Sequence, residues 1–496
     1  MTGAPQTRPV SWGGRLWRGA WLVLGALLLA GVGIAAGLAL GHKIAQEEWA
    51  ILVTATGLAT YVAVAVTDVR HALLFWVATA PFARFAYLNI ELGQGIPNLT
   101  LNRIMTGVLL ALVLAQAAIG RRKLVRFTGL DALVLAFLAA AALSVPSALV
   151  GLKSAVQSFL DLLIIPVAVY FLARNLITDL RALRSVMIML TIVGLYFALL
   201  ATREQLTGDV WFYPEDRSVT YTASIRRVVG LLGNPAYIAA TITMSWPWAW
   251  YWLYRGRRFR LGKALLLALM GAGVFFCMNR SGWGGLVLAL VTMAIFIPRF
   301  RRTFFVLLVL AVIVGSIYGA VILSSATVRE RLKAQGPIEY RVETWDIARR
   351  MIRDHFIFGL GYENFPYYYR RYGHWDIYLR AQPTPHNTYL WVLLMGGIVA
   401  FIPFMAFCLY LAWSSLKLYR ISRSAESFLD PDLVGVFLAS MVAIFVPAFV
   451  MDVFTGYYNT MIMFLILGAF WGAVDGERRR AERARLAQRA VWSWRG

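Results

Sequence analysis

The chain has few cysteines and few histidines, and these shortages exclude several kinds of site. Its two cysteines, Cys277 and Cys408, both lie in apolar segments, so we expect neither a disulfide framework nor a cysteine-based metal site. A glycine-rich phosphate loop, a His-Glu-x-x-His motif and a paired His/Cys cluster are all absent from the sequence. The sequence therefore gives no sign that the protein requires a metal or a cofactor.

Acidic residues are also scarce, since 25 Asp and Glu stand against 48 Lys and Arg, for a formal net charge of +23. In a soluble protein this excess would suggest a nucleic acid as partner. Here 60% of the residues are hydrophobic, the mean hydropathy is +0.65, and most basic residues fall in short segments between long apolar runs. This pattern indicates membrane topology and attraction to anionic lipids, and we expect no binding of nucleic acid.

Long apolar runs are what the chain has in abundance, and they predict an all-α polytopic membrane protein. The first run is too long for the core of a signal peptide, so we interpret it as a retained helix. We predict about fourteen spans, with twelve as the alternative, at residues 16–40, 49–67, 71–88, 104–120, 130–149, 154–174, 184–202, 233–254, 263–279, 281–298, 303–323, 387–416, 433–450 and 458–475.

The distribution of Lys and Arg predicts the orientation of these spans. With the N-terminus in the cytoplasm, 29 of the 48 basic residues lie inside, nine lie in short outer segments, and ten lie in one long loop. Basic residues in short loops favour the cytoplasmic side, whereas long loops contribute little to orientation. We therefore expect both termini inside a bacterial inner membrane and the long loop in the periplasm, with a basic tail at 476–496 on the inner leaflet.

One polar segment separates the spans at 1–323 from those at 387–475. Residues 324–386 include seven acidic and ten basic residues and an aromatic run between Tyr367 and Tyr378. A loop of this length is functional or disordered, and its aromatic content argues against disorder. We expect a folded periplasmic subdomain there.

Several arginines lie on the predicted outer face against the positive-inside bias. Arg226 and Arg227 precede a glycine-rich segment, Arg280 stands where two spans meet, and Arg341 lies in the long loop. Arginine binds phosphate with a fork of donors that stays charged, so all four are candidates for binding a diphosphate. Each could instead contact lipid headgroups from the membrane interface.

His386 stands at the end of the long loop, where an apolar helix is predicted to begin. A helix N-terminus disfavours the imidazolium ion, and a neutral imidazole can act as a general base. The alternative is a structural histidine. Asn387 is expected to cap the helix, or to contact an acceptor. Tyr389, Trp375 and Tyr369 are weaker candidates for contacting sugars.

Three acidic positions complete the set of candidates. Asp161 and Asp452 could orient a site arginine or pair within the helix bundle. Asp430-Pro431-Asp432 is formally an Asp-x-Asp motif, but it falls on the predicted cytoplasmic side, so we do not expect it to bind a metal.

Four motifs together resemble the superfamily of O-antigen ligases and O-antigen polymerases of bacterial inner membranes. In order, they are Arg227-x-x-Gly230 with Gly233-Asn234-Pro235, Asn279-Arg280-Ser281-Gly282-Trp283, Arg341-x-x-x-Trp345 leading to His355-Phe356-Ile357-Phe358-Gly359-Leu360-Gly361, and His386-Asn387-Thr388-Tyr389-Leu390 leading to Met395-Gly396-Gly397. The resemblance covers about residues 220 to 415. It departs from the usual pattern at Ala236 and Phe356, which we interpret as packing positions.

The resemblance implies a metal-independent, inverting glycosyltransferase whose donor is a glycan on undecaprenyl diphosphate. The acceptor would be lipid A–core oligosaccharide for a ligase, or another lipid-linked repeat unit for a polymerase, and we favour the ligase. His386 would deprotonate the acceptor, while Arg227 and Arg280, assisted by Arg226 or Arg341, would bind the diphosphate. Two other kinds of function stay open at this point, namely a transporter of lipid-linked glycans and a structural scaffold with the loop as its docking site.

Overall fold

The computed structural model describes residues 49–85, 89–211, 227–255, 259–324, 336–373, 383–424 and 427–493. Nearly all regular structure in these ranges is helical, apart from a two-stranded antiparallel ribbon of β1 (Asn89–Ile90) and β2 (Leu99–Thr100). The helices are α1 (Trp49–Thr67), α2 (Val69–Thr79), α3 (Leu101–Ala118), α4 (Gly129–Ala142), α5 (Leu152–Phe159), α6 (Ile165–Leu176), α7 (Leu180–Thr207), α8 (Pro235–Tyr254), α9 (Arg260–Phe276), α10 (Arg280–Phe296), α11 (Pro298–Ser324), α12 (Gly336–Asp354), α13 (Phe365–Tyr372), α14 (Thr388–Ser422), α15 (Pro431–Phe445) and α16 (Tyr457–Ser493).

A helix lies at each predicted span from 49–67 onward, whereas the first predicted span falls outside the described residues. Within the described ranges, seven helices are long and apolar enough to cross a membrane, and two apolar helices are shorter. The seven are Leu101–Ala118, Gly129–Ser147, Leu152–Leu176, Leu180–Thr207, Thr388–Ser422, Pro431–Phe449 and Tyr457–Ala487. The chain is a multi-pass all-α membrane protein, as predicted, and the total of twelve to fourteen spans stays a prediction.

The last helix, α16, is central to the packing of the bundle. Its apolar part packs along α6 and is buried over most of its length. Near the end of that contact, the buried Arg174 of α6 pairs with Asp131 of α4 and, at 2.9 Å, with Asp475 of α16. A buried charge is tolerated only when it is paired, so these contacts fix the three helices to one another at this end of the bundle.

Helix α14 is interrupted at Gly397, about ten residues after its start, and a segment of the long loop pairs with the backbone at this break. Gly397 has φ +60°, a conformation that residues with a side chain rarely adopt. The segment from Phe356 to Gly361 pairs with the exposed backbone there. Leu360 N–H donates to Leu394 O at 2.7 Å and Ile398 N–H donates to Phe356 O at 2.9 Å. These bonds attach the long loop to α14.

The described part of the long loop contains α12 and α13, which share a small hydrophobic core with the beginning of α14. Its buried residues are Ile347, Ala348, Met351, Leu360, Phe365 and Leu394. Because Leu394 belongs to α14, this core and the backbone pairing hold the loop helices against the end of the bundle where α14 begins. The domain boundaries at 324 and 386 stay predictions.

Candidate active site

His386 lies in the turn that precedes α14, and Asp452 holds this turn in place. Asp452, which is only 5% exposed, accepts hydrogen bonds from the backbone N–H groups of His386 at 3.1 Å and Asn387 at 2.9 Å. The same carboxylate lies 3.5 Å from Nδ1 of the His386 ring. Thr388 extends the link, since its hydroxyl donates to Met451 O and accepts from Val453 N–H. The loop before α16 therefore fixes the backbone of His386, while the ring is contacted by the Thr384 hydroxyl, 3.2 Å from Nδ1 and 3.4 Å from Nε2.

The backbone of His386 adopts φ +45°, in the left-handed region that few residues other than glycine occupy. Such conformations persist where the surroundings impose them, and they are common at functional sites. Here the imposing contacts come from Asp452 and from α12. Trp345 Nε1–H donates to Pro385 O at 2.8 Å. The rings of Tyr340 and His386 pack edge-to-face, with 6.0 Å between their centroids.

Arg341 follows Tyr340 directly, and Arg341 and Trp345 are one helical turn apart on α12. Residues four apart share a face of a helix, which explains the spacing of the Arg341-x-x-x-Trp345 motif. Its tryptophan anchors the turn that contains His386, and its arginine acts electrostatically on the histidine ring.

The charge environment keeps His386 neutral and Asp452 ionised at neutral pH. Burial, reinforced by the positive charges of Arg341 and Arg227, lowers the pKa of His386 to about 4. Burial raises the pKa of Asp452 to about 6, against the hydrogen bonds that it accepts from Thr384 and from the turn. The ring of His386 is still 44% exposed, so a substrate can reach it.

Arg227 lies close enough to act on His386 although the two are far apart in sequence. The backbone after Arg227 is held by Glu204 at the end of α7, whose carboxylate accepts from Val229 N–H at 2.6 Å and from Gly230 N–H at 2.8 Å. Gly230 has φ +51°, and a Cβ there would lie 2.4 Å from the Ile238 side chain. The glycine of the Arg227-x-x-Gly230 motif therefore allows this turn to pack on α8.

Arg280 is the first residue of α10, which Asn279 caps by accepting from Gly282 N–H at 2.8 Å. A Cβ on Gly282 would lie 2.4 Å from Ala239 of α8, so the first turn of α10 packs closely on the first half of α8. The charge of Arg227 also reaches Cys277, three residues before Arg280. Arg280 therefore stands at the same end of the bundle as Arg227.

The weaker candidates have structural contacts in the bundle. Asn387 caps α14 by accepting from the N–H groups of Tyr389 and Leu390. Tyr389 donates its hydroxyl to Phe445 O, and its ring stacks on Phe449 at 4.3 Å. Tyr369 packs on the core of the long loop. Their contacts to an acceptor stay predictions, and Arg226 and Trp375 lie outside the described residues.

The remaining acidic candidates pair with arginines outside the predicted set. Asp161 forms a bidentate pair with Arg103, with both N–O distances at 2.8 Å. Asp430 contacts Arg255, and Asp432 lies 3.3 Å from Arg299. The two carboxylates of the Asp-x-Asp motif are thus engaged in ion pairs at the end of α8 remote from Asn234, which caps its start.

Two acidic residues hold the backbone of the site. The sequence makes Asp452 a candidate to orient a site arginine or to pair within the bundle, and in the structure it binds the turn of His386 and is acted on by the charge of Arg341; Glu204 is the residue that sequence reasoning missed. Both are acidic residues near the predicted outer ends of apolar spans. Both are therefore predicted to lie on the same membrane face as His386. This position is the signal that could have identified them, because charges at membrane depth are costly and usually serve pairing or function.

Comparison with known proteins agrees with the motifs of this site. No curated protein matches the chain. Residues 264–405, however, match the family model described as O-Antigen ligase. The matched segment includes Arg280, Arg341 and His386, and the match supports membership of the chain in the O-antigen ligase superfamily.

Proposed function

We propose that the protein transfers a glycan from undecaprenyl diphosphate to the lipid A–core oligosaccharide, at the periplasmic face of a bacterial inner membrane. The family match supports a function of the O-antigen ligase or polymerase type. The observation that carries the proposal is the meeting of a neutral, exposed histidine with an orienting carboxylate and two arginines at one end of the bundle.

The acceptor hydroxyl is activated by His386. Asp452 lies 3.5 Å from Nδ1 and favours the tautomer with its proton there, and the acceptor hydroxyl would replace the Thr384 hydroxyl, which lies 3.4 Å from Nε2, at the lone pair of Nε2. The hydroxyl proton passes to Nε2 while the hydroxyl oxygen forms a bond to the anomeric carbon. Because the attack comes from the side opposite the leaving group, the configuration at that carbon is inverted.

The bond from the anomeric carbon to the phosphate oxygen breaks in the same step, and undecaprenyl diphosphate leaves with the electron pair. Negative charge grows on the diphosphate, and we assign its stabilisation to Arg227, Arg341 and Arg280, with Arg226 as a further candidate. Fixed cations at the position of developing charge lower the barrier, and loss of one such group costs on the order of 10²-fold or more in rate.

Complementation in a host that lacks its own O-antigen ligase tests the proposal. Wild type should restore long-chain lipopolysaccharide on a gel, and His386→Ala and Arg341→Ala should fail at equal membrane abundance. The matched control is His71→Ala, because His71 also contacts a carboxylate, Asp68, at 3.0 Å, but lies beside α1 and away from α14. Equal activity of His386→Ala and wild type would refute the assignment of the base.

The acceptor is tested separately, because a polymerase of the same superfamily would share the His386 chemistry. A host that has a ligase but lacks its polymerase should gain no chain extension from this protein. Restoration of long chains in that host, and not in the ligase-deficient one, would replace lipid A–core with a lipid-linked repeat unit as the acceptor.

A further inference from the structure

A cavity lies beside the turn that contains His386. It encloses about 840 Å³ between α3, α5, the start of α8 and the loop before α16. Thr455 in its wall donates to Asp452 O at 2.9 Å, so the cavity is separated from the histidine by one short turn of chain. All the residues that line it lie outside 264–405, the segment that matches the family model.

The cavity is polar, but its charges cancel. Among the described residues that line it, the charged side chains are Arg103 and Asp161, which neutralise each other through the bidentate pair. Arg103 gives two of its three remaining N–H groups to Asn98 O and, at 3.1 Å, to Gln157 O. An anion that enters the cavity would therefore meet a guanidinium whose charge is paired with Asp161 and most of whose N–H groups already donate hydrogen bonds.

Amide and hydroxyl side chains make up most of the polar lining. Five asparagines contribute, namely Asn89, Asn98, Asn102, Asn234 and Asn459. The side-chain oxygens of Asn98 and Asn459 are buried and accept no hydrogen bond from the described residues. Asn459 donates both its N–H groups, to Tyr237 O at 2.8 Å and to Thr241 Oγ1 at 3.1 Å, and its side chain is fully buried in the cavity wall.

Buried acceptors without a donor are costly, and Asn98, whose side chain is partly exposed, is the one of the two that a ligand O–H group could satisfy. Asp161 adds carboxylate lone pairs on a side chain that is 39% exposed. Tyr237 and Tyr457 add aromatic faces. The lining thus offers hydrogen-bond acceptors and aromatic rings, and the charge of Arg103 is neutralised by Asp161. These properties favour an uncharged ligand that is rich in hydroxyl groups. The volume falls within the roughly 300–1,000 Å³ typical of ligand sites.

We propose that this cavity binds uncharged sugar residues of one of the two glycan substrates and sets which glycan is accepted. The proposal rests on the transferase function proposed above, and it adds a binding site outside the reacting groups. A site that bonds particular hydroxyls discriminates strongly against a sugar that lacks them, because the partner groups are then left buried and unpaired.

A binding experiment tests the cavity without requiring turnover. The probe is the free oligosaccharide released by mild acid from the lipid-linked glycans of the source organism, and saturation-transfer NMR measures its contact with the purified full-length protein. Ser154 lines the cavity at an exposed position, so Ser154→Trp should fill it and weaken binding at least tenfold. Leu152→Trp is the matched control, since Leu152 is exposed on the same helix but does not line the cavity. Asn98→Leu removes one orphaned acceptor and should weaken binding several-fold.

Kinetics then identify the substrate that the cavity holds. A rise of tenfold or more in the KM of the donor for Ser154→Trp, but not Leu152→Trp, assigns the cavity to the donor glycan, and a rise in the KM of the acceptor assigns it to the acceptor. If both KM values stay unchanged while His386→Ala abolishes transfer, the cavity holds only water and this proposal is wrong, although the proposed function stands. If wild type transfers glycan to neither acceptor, the function fails. Oligosaccharide binding that Ser154→Trp does not weaken overturns the cavity site by itself.

Discussion

Replacement of Asp452 by asparagine changes one atom of the carboxylate but should misplace His386. The carboxylate accepts two backbone N–H groups of the turn and also faces Nδ1 of the ring. Asparagine supplies one acceptor oxygen and turns an NH₂ group toward a donor. One buried N–H is then unsatisfied, which costs about 1–3 kcal/mol.

The turn can relieve this conflict by moving, and His386 then leaves its position. If the cost appears wholly in the activation free energy, it corresponds to roughly a 5- to 150-fold loss in kcat at 1.36 kcal/mol for each factor of ten. The asparagine also ceases to select the tautomer with a proton on Nδ1. We therefore expect kcat to fall by about one to two orders of magnitude for Asp452→Asn, with the KM of the donor nearly unchanged because the arginines remain.

Single-turnover transfer with purified protein measures this loss directly. Asp68→Asn is the matched control, since Asp68 also accepts a backbone N–H, from Arg70, and contacts a histidine ring. Thermal unfolding of each variant separates a local effect from general loss of structure. Wild-type kcat in a folded Asp452→Asn protein would refute the argument that this carboxylate positions the base.

Four further outcomes follow from the same geometry. His386→Ala should lower kcat about 10²–10⁴-fold, the usual contribution of a general base, in the same single-turnover assay. The pH profile of kcat/KM should fall on the acid side with an apparent pKa of about 6, because Asp452 loses its charge there while His386 stays neutral down to about pH 4, and Asp452→Asn should remove that limb. Glu204→Gln should raise the KM of the donor about tenfold with little change in kcat, since it loosens the backbone after Arg227, and an unchanged KM would contradict that role. Arg341→Lys should recover only part of the activity lost in Arg341→Ala, because lysine keeps the charge but not the fork of donors, and full recovery would show that charge alone suffices.

The helices could be predicted from sequence because apolar runs of membrane length are a strong signal. The end of α16 shows where that signal stops. The apolar run predicts an end at 475, whereas the helix continues through the basic tail to Ser493. Alanine, arginine and glutamate are good helix formers, so the helix persists after its apolar face ends. Likewise, one apolar run covers α14, and only the backbone at Gly397 reveals that the helix is interrupted.

The sequence indicates candidate residues for the site but not the contacts between them. His386, Arg227 and Arg341 stood out because each carries a polar group at the predicted outer face. The contact between His386 and Asp452 spans 66 residues and depends on how α14 and the loop before α16 pack together. Local patterns carry no information about such a contact. For the same reason the sequence leaves open whether Asp161 orients a site arginine or pairs within the bundle, and the structure shows the pair with Arg103.

In the proposed mechanism the arginines have two effects on the histidine, and together these effects couple donor binding to catalysis. In the free protein, Arg341 and Arg227 help to lower the pKa of His386, which makes the ring neutral but weakly basic. A bound diphosphate brings negative charge to the same guanidinium groups and offsets their effect on the ring, so the pKa of His386 should rise toward its ordinary value. A base is most effective when its pKa lies near the working pH. The histidine is therefore a poor base while the donor is absent and a better one once the leaving group is in place, which favours deprotonation of an acceptor only when a glycan is ready for transfer.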